Sequence, residues 1–333
     1  MSAFLLLVSF AVILAGALMF TNAVEWIGHK LELGEGAVGS LLAAVGTAMP
    51  ETLIAIVALI GAAEGADQVA IGAIVGAPFL LATLAMGLVG LFAFLYRERR
   101  EQGLRLNAHG ETLERDILFF LFFFAIALAL AWGAPAELRI PAGVLVILAY
   151  PVYVRRTLLA GGLVQDHATL DPLIFERRDE FRRDPALLLC ILQLLVGLGA
   201  MVGGAHLFVE ELLNIAESLG VEAVVLALIL APLATELPEK VNSFFWVREG
   251  KDSLALGNIT GAMVFQSTIP LGIGLLFTDW SLTTNASLSI VLGLAGGFLA
   301  YETLHRRDRF ALPAVATWFT LYTAYIVIVA AGA

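Results

Sequence analysis

Residues 40–62 read SLLAAVGTAMPETLIAIVALIGA, and residues 46–51 within them read GTAMPE. The run is apolar enough to enter a bilayer, yet it carries Glu51 directly behind Pro50. A second apolar run carries ATELPE at residues 234–239. A glutamate at the centre of a bilayer is costly unless it faces a partner, a cavity or water. Proline has no N–H for the helix ladder, and its ring crowds the carbonyl four residues back. Pro50 therefore frees the carbonyl of Gly46, Pro238 frees that of Ala234, and both helices are expected to break there. Thr47 and Glu51 are four apart and share one helix face, as do Thr235 and Glu239.

Composition fixes the surroundings of these stretches. Of 333 residues, 60% are hydrophobic and 14% charged, with a mean hydropathy of +0.91. A soluble domain averages about 45–50% apolar and about 25% charged. Apolar runs of spanning length recur from end to end, so the chain is an all-α polytopic membrane protein. Residues 2–20 follow no basic residue and exceed a usual signal core, so they read as the first span. Cys190, the sole cysteine, excludes an intrachain disulfide and a cysteine-cluster metal site, and reads as packing. The net charge of −10 suits cationic partners better than nucleic acid.

Ten transmembrane helices are expected, at about 3–28, 36–61, 67–96, 116–133, 141–160, 186–216, 221–247, 252–278, 283–303 and 310–331. Nearly every basic residue falls in one set of alternate loops, among them Arg97, Arg99, Arg100, Arg105, Arg155, Arg156, Arg177, Arg178, Arg182, Arg183 and Arg248. The opposite loops hold Arg139 alone. This asymmetry places the basic loops in the cytoplasm and both termini outside, in the plasma membrane. The outer side carries Glu210, Glu211, Glu217 and Glu222, which read as a solvated loop.

The chain also repeats itself. At a spacing of 188, Gly16 matches Gly204, Phe20 matches Phe208, Thr47 matches Thr235, Pro50 matches Pro238 and Glu51 matches Glu239. At a spacing of 185, Gly72 matches Gly257, Gly76 matches Gly261, Thr83 matches Thr268 and Gly87 matches Gly272. Residues 1–160 form a first five-helix repeat, 161–185 a polar cytoplasmic linker, and 186–333 a second repeat. Five is odd, so the second copy is inverted. Inverted repeats with broken helices, here spans 2 and 7, hold ion sites near the midplane in many transporters.

Brought together, the halves offer carboxylates, hydroxyls and loose carbonyls, an all-oxygen cage suited to a hard cation such as Ca²⁺, which takes about 6–8 oxygens. No Cys or His cluster suggests a soft metal. Glu236 adds a third carboxylate; Lys240 stands four residues on, and a self-neutralising pair is the simpler reading. The Gly72–Gly76 and Gly257–Gly261 pairs are spaced for close helix approach beside these stretches. Asn258, Gln266, Ser267 and Thr268 are polar members of span 8. His206, which matches Leu18 at the spacing of 188, could carry protons, but a hydrogen-bonded packing residue is the simpler reading.

These stretches resemble the two α-repeats of the sodium/calcium exchanger family, roughly G-T-S-x-P-E followed by G-N-x-x-G-S-N-x-x-N/D. The resemblance implies acidic ligands at Glu51 and Glu239, threonine ligands at Thr47 and Thr235, and further ligands at Asn258 and Gln266. Departures are substantial: Ala48 and Glu236 replace the motif serines, while Ala73, Ala77, Pro78 and Leu81 replace the polar positions of span 3. The resemblance implies a secondary active antiporter that exchanges Ca²⁺ by alternating access, needing no cofactor, with Na⁺ and H⁺ both open as the coupling ion. A cation channel and a transport-impaired sensor or scaffold are the alternatives. No nucleophile–base motif suggests an enzyme.

Overall fold

The structure is a computed structural model that describes residues 2–30, 48–61, 64–106, 110–159, 171–176, 185–307 and 309–332, of which residues 110, 158, 159, 237–242, 245, 307 and 332 are described by backbone alone. Its helices are α1 (Ser2–Lys30), α2 (Met49–Ile60), α3 (Ala66–Leu80), α4 (Met86–Leu95), α5 (Gly110–Trp132) and α6 (Arg139–Leu159). After the linker come α7 (Leu187–Leu219), α8 (Ala223–Arg248), α9 (Asp252–Gln266), α10 (Ile269–Phe277), α11 (Thr284–Glu302) and α12 (Leu312–Gly332). Among the described residues, eight helical segments are long and apolar enough to cross a membrane, counting α3–α4 and α9–α10 as one each. They lie on expected spans 1, 3, 4, 5, 6, 8, 9 and 10. Two shorter apolar helices, Met49–Ile60 and Ala223–Glu236, lie at the two proline–glutamate stretches.

The breaks differ from expectation. Span 7 is not broken at Pro238: α8 is helical from Ala223 to Arg248. A proline inside a membrane helix deletes one ladder bond, and neighbouring helices can hold the remainder in place. The break lies in span 8 instead. α9 stops at Gln266, Thr268 leaves helical geometry (φ −124°, ψ −75°), and α10 restarts with Pro270 in its first turn. There the missing N–H is an orphan in any case. In span 3, Pro78 sits inside α3, and a single π turn over Leu81–Ala85 separates α3 from α4. Adding 185 to Leu81 gives Gln266, so the π turn opens at the position that matches the last residue of α9.

Of the eight spans, α3–α4 and α9–α10 are the most enclosed. Small residues set that enclosure. A Cβ on Gly72 would stand 2.6 Å from the Val224 carbonyl oxygen, and Gly76 approaches Leu228 as closely, so α3 meets α8 backbone to backbone. At Gly257 and Gly261 no such neighbour stands within 4 Å among the described residues. Val224 and Leu228 match residues 36 and 40 at the spacing of 188, and these lie outside the described residues. α1 and α7 pack through Gly16 and Gly197, where a Cβ on either would lie 2.8 Å from the other's carbonyl oxygen.

Large apolar side chains such as Phe4, Leu18, Leu95, Phe122, Leu188 and Val327 face outward, as a lipid-facing surface requires. Cys190 is buried with Trp26 and Leu173, in agreement with packing. The linker is more than a spacer. Its residues 171–176 dock on α1 and α7: Trp26 Nε1 donates to the Asp171 carbonyl at 2.9 Å, and Phe175 N donates to Gln193 Oε1 at 3.0 Å. Gln193, fully buried, also donates to Asn22 Oδ1 and to the Met19 carbonyl, both at 2.9 Å.

Candidate functional site

Three side chains from three helices meet inside the bundle. Glu51 lies in the first turn of α2, behind Pro50, where a carboxylate complements the positive end of the helix dipole. Glu236 lies within α8, and Gln266 closes α9. Glu51 is 2% exposed, and Glu236 and Gln266 are 1% exposed each. Gln266 Nε2 donates to Glu51 Oε1 at 2.8 Å and also to Glu236 Oε1. One amide nitrogen therefore holds a carboxylate from each half of the chain. Gln266 Oε1 accepts no hydrogen bond among the described residues. The freed carbonyls surround the same region in sequence: Pro270 returns no ladder bond to the Gln266 carbonyl, nor Pro238 to that of Ala234.

The remaining expected residues divide as follows. Thr235 is fully buried next to Glu236, and its hydroxyl donates to the Ala231 carbonyl at 2.9 Å. Asn258 Nδ2 donates to Ser243 Oγ at 3.1 Å, tying α9 to α8. At about 1.5 Å rise per residue, it lies roughly 12 Å along α9 from Gln266, away from the two carboxylates. Gly46 and Thr47 lie outside the described residues, as do the side chains of Glu239 and Lys240. The expected pairing of Glu236 with Lys240 thus falls outside them too. His206 is exposed on α7, which corrects its reading as a packed histidine; its ring points off the face that carries buried Gly204 and Phe208. Glu210, Glu217 and Glu222 are exposed, but Glu211 is buried, because it falls on the side of α7 that also buries Phe208 and Leu212.

One polar cluster escaped the sequence reading. Asp116, 3% exposed on α5, accepts from Tyr153 Oη of α6 at 2.8 Å, from Thr260 Oγ1 of α9 at 3.1 Å and from Arg115 Nη2 at 3.3 Å. Arg115 Nη2 also reaches Thr157 Oγ1 at 3.0 Å. Span 4 was expected to begin at residue 116, but α5 begins at Gly110, so Asp116 stands inside the helix. Its signal was an acidic residue at the edge of an apolar run. Tyr153 and Tyr150 pack in turn with Ala48 and Phe265, the neighbours of the α2 start and of Gln266.

Chemically, two buried carboxylates with an amide and proline-freed carbonyls are oxygen donors for a hard cation. The comparisons with known proteins agree with a cation-handling membrane fold. The chain is 38% identical over 87 residues to the sodium/calcium exchanger MaX1 of Methanosarcina acetivorans, covering 26% of this chain and 25% of that one. The curated relatives matched at highest identity are covered over only 25–33% of their own length. Among solved structures, the fold is similar to the H⁺/Ca²⁺ exchanger CAX, with a TM-score of 0.75 at 19% identity, covering 98% of this chain and 82% of that one. It is also similar to the sodium-calcium exchanger NCX_Mj, with a TM-score of 0.60 at 20% identity, covering 98% and 97%. The family model described as sodium/calcium exchanger protein matches residues 1–159 and 189–331, both halves of the chain, which therefore belongs to the sodium/calcium exchanger family.

Proposed function

We propose that this chain is a secondary active antiporter that moves Ca²⁺ against Na⁺ or H⁺ by alternating access. It would act in the plasma membrane as ten spans in two inverted repeats, with both termini outside. One observation carries the reading: Glu51 from the first half and Glu236 from the second converge, buried, on Gln266. The distortions beside the matched positions Leu81 and Gln266 support the repeat. Glu51 and Glu236 ligate the cation directly, with Gln266, Thr235 and the carbonyl of Ala234 as further oxygens. Glu239, Thr47 and Gly46 join them on the strength of the family motif. Two adjacent carboxylates are costly to move through the bilayer empty and charged. In this proposal they cross with a cation or with protons bound, and that couples the two fluxes. A ligand shifts the inward–outward equilibrium only by binding the two states differently.

Reconstitution in liposomes tests the proposal. ⁴⁵Ca²⁺ uptake is followed while Na⁺ and H⁺ gradients are imposed separately. Uptake driven by one opposing gradient, and absent without it, is expected. Net Ca²⁺ current with no opposing gradient would indicate a channel, and no Ca²⁺ movement under either gradient would remove Ca²⁺ as the cargo.

A further inference from the structure

We infer that Gln266 is a two-faced ligand, whose amide donates to Glu51 and Glu236 while the site holds no cation and turns over to present Oε1 when a cation arrives. This rests on the proposed role of the two carboxylates as cation ligands. A carboxylate pair can be held together by N–H donors or by a metal ion, but not by both at one point, because each directs positive charge at the same oxygens. Nε2 stands at the point shared by the Glu51 and Glu236 oxygens. A cation entering there must displace it. The two ends of the amide are exchanged by a half-turn about the last side-chain torsion, which is broad and nearly two-fold.

That half-turn moves no helix. It removes an N–H pair that a cation would repel and substitutes an oxygen that it would attract. Oε1 is placed for the exchange: it is buried and accepts no hydrogen bond among the described residues. Buried acceptors without a partner are rare and ask for an explanation; here the partner is the cation. The backbone adds to this. Pro270 leaves the Gln266 carbonyl without its ladder donor, so one residue offers two oxygens. An acid at this position could bind the ion but would crowd three carboxylates in the empty site. Glutamine stabilises both conditions of the site.

The test uses the full-length protein in detergent, with glutamine labelled ¹³C at the side-chain carbonyl. It is titrated with Ca²⁺ and, separately, with Na⁺, while cation binding and isotope-edited infrared difference spectra are recorded. A glutamine carbonyl band is expected to move to lower frequency in step with occupancy and to be missing from Gln266→Glu. Gln266→Met, which has neither face, is expected to bind about tenfold more weakly; it also serves as the subtraction should Gln266→Glu not fold. Binding without a band shift, or a shift that persists in the variants, overturns the inference. A shift with Na⁺ and no Ca²⁺ binding keeps the switch and removes Ca²⁺ as cargo. No binding of either cation removes both.

Discussion

Glu51 and Glu236 are buried to nearly the same degree and share one donor, so in the proposed site each would supply a similar part of the charge that a cation meets. Affinity for a hard cation follows the number of charged oxygens around it. Glu51→Gln and Glu236→Gln are each expected to raise the Ca²⁺ concentration for half-maximal ⁴⁵Ca²⁺ uptake by roughly 100-fold, about 2.8 kcal/mol. Thr235→Val keeps the shape but removes a neutral oxygen rather than a charged one, so a smaller rise of about tenfold is expected. Equal effects in all three variants would argue that the residues act through packing. Glu51 was legible in the sequence because a carboxylate behind a proline in an apolar run has few other uses. Glu236 was legible as a carboxylate, but the bond it accepts from Gln266 was not, because Gln266 lies 30 residues away and meets Glu236 only through the packing of α9 on α8.

Among the elements, the broken α9–α10 span organises the site. Pro270 ends the ladder at the residue whose side chain holds both carboxylates. Pro270→Ala allows the span to run on and returns a ladder bond to the Gln266 carbonyl. Thermal stability is expected to hold or rise, while Ca²⁺ affinity falls about tenfold as a loose oxygen is recaptured. A Tm that drops with affinity unchanged would contradict this. The sequence carried the same signal at Pro238 and at Pro270, yet only the second breaks its helix. Whether a membrane helix continues past a proline depends on the neighbours that hold its backbone, and those are known only once the bundle is packed. The linker was likewise legible only as polar. Its docking depends on Gln193, which bonds three backbone or side-chain partners from inside α7. Gln193→Leu is expected to cost about 1–3 kcal/mol and to lower Tm by several degrees. Proteolysis of the linker should quicken in the same variant.

Over the whole molecule, the all-helical membrane class and eight of the spans were readable from hydropathy, because that signal is local, and the family from the resemblance of the two proline–glutamate stretches to its motif. How the halves are fastened was not. Arg100, one of many basic loop residues in the sequence, is fully buried and meets Asp252 through two contacts of 2.7 Å. It also donates to the carbonyls of Val247 at 2.6 Å, Gly103 at 2.7 Å and Arg105 at 3.1 Å. Gln102 reaches the Gly250 carbonyl at 3.0 Å beside it, and Phe310 N reaches the Leu104 carbonyl at 3.0 Å. The loops after α4, α8 and α11 are thereby gathered on the face that carries the basic residues. A buried ion pair contributes little net stability compared with well-packed apolar groups, but removing one member strands the other. Arg100→Met and Asp252→Leu alone are each expected to cost about 3–5 kcal/mol in thermal unfolding in detergent, and the double variant considerably less than either. The sign of that coupling decides the role of the pair. A double variant as unstable as the sum would mean that the arginine acts chiefly through its backbone carbonyls. Recovery in the double variant, with Ca²⁺ exchange slowed, would mean that the charge pair holds α4 and α9 in register for the site that α9 carries.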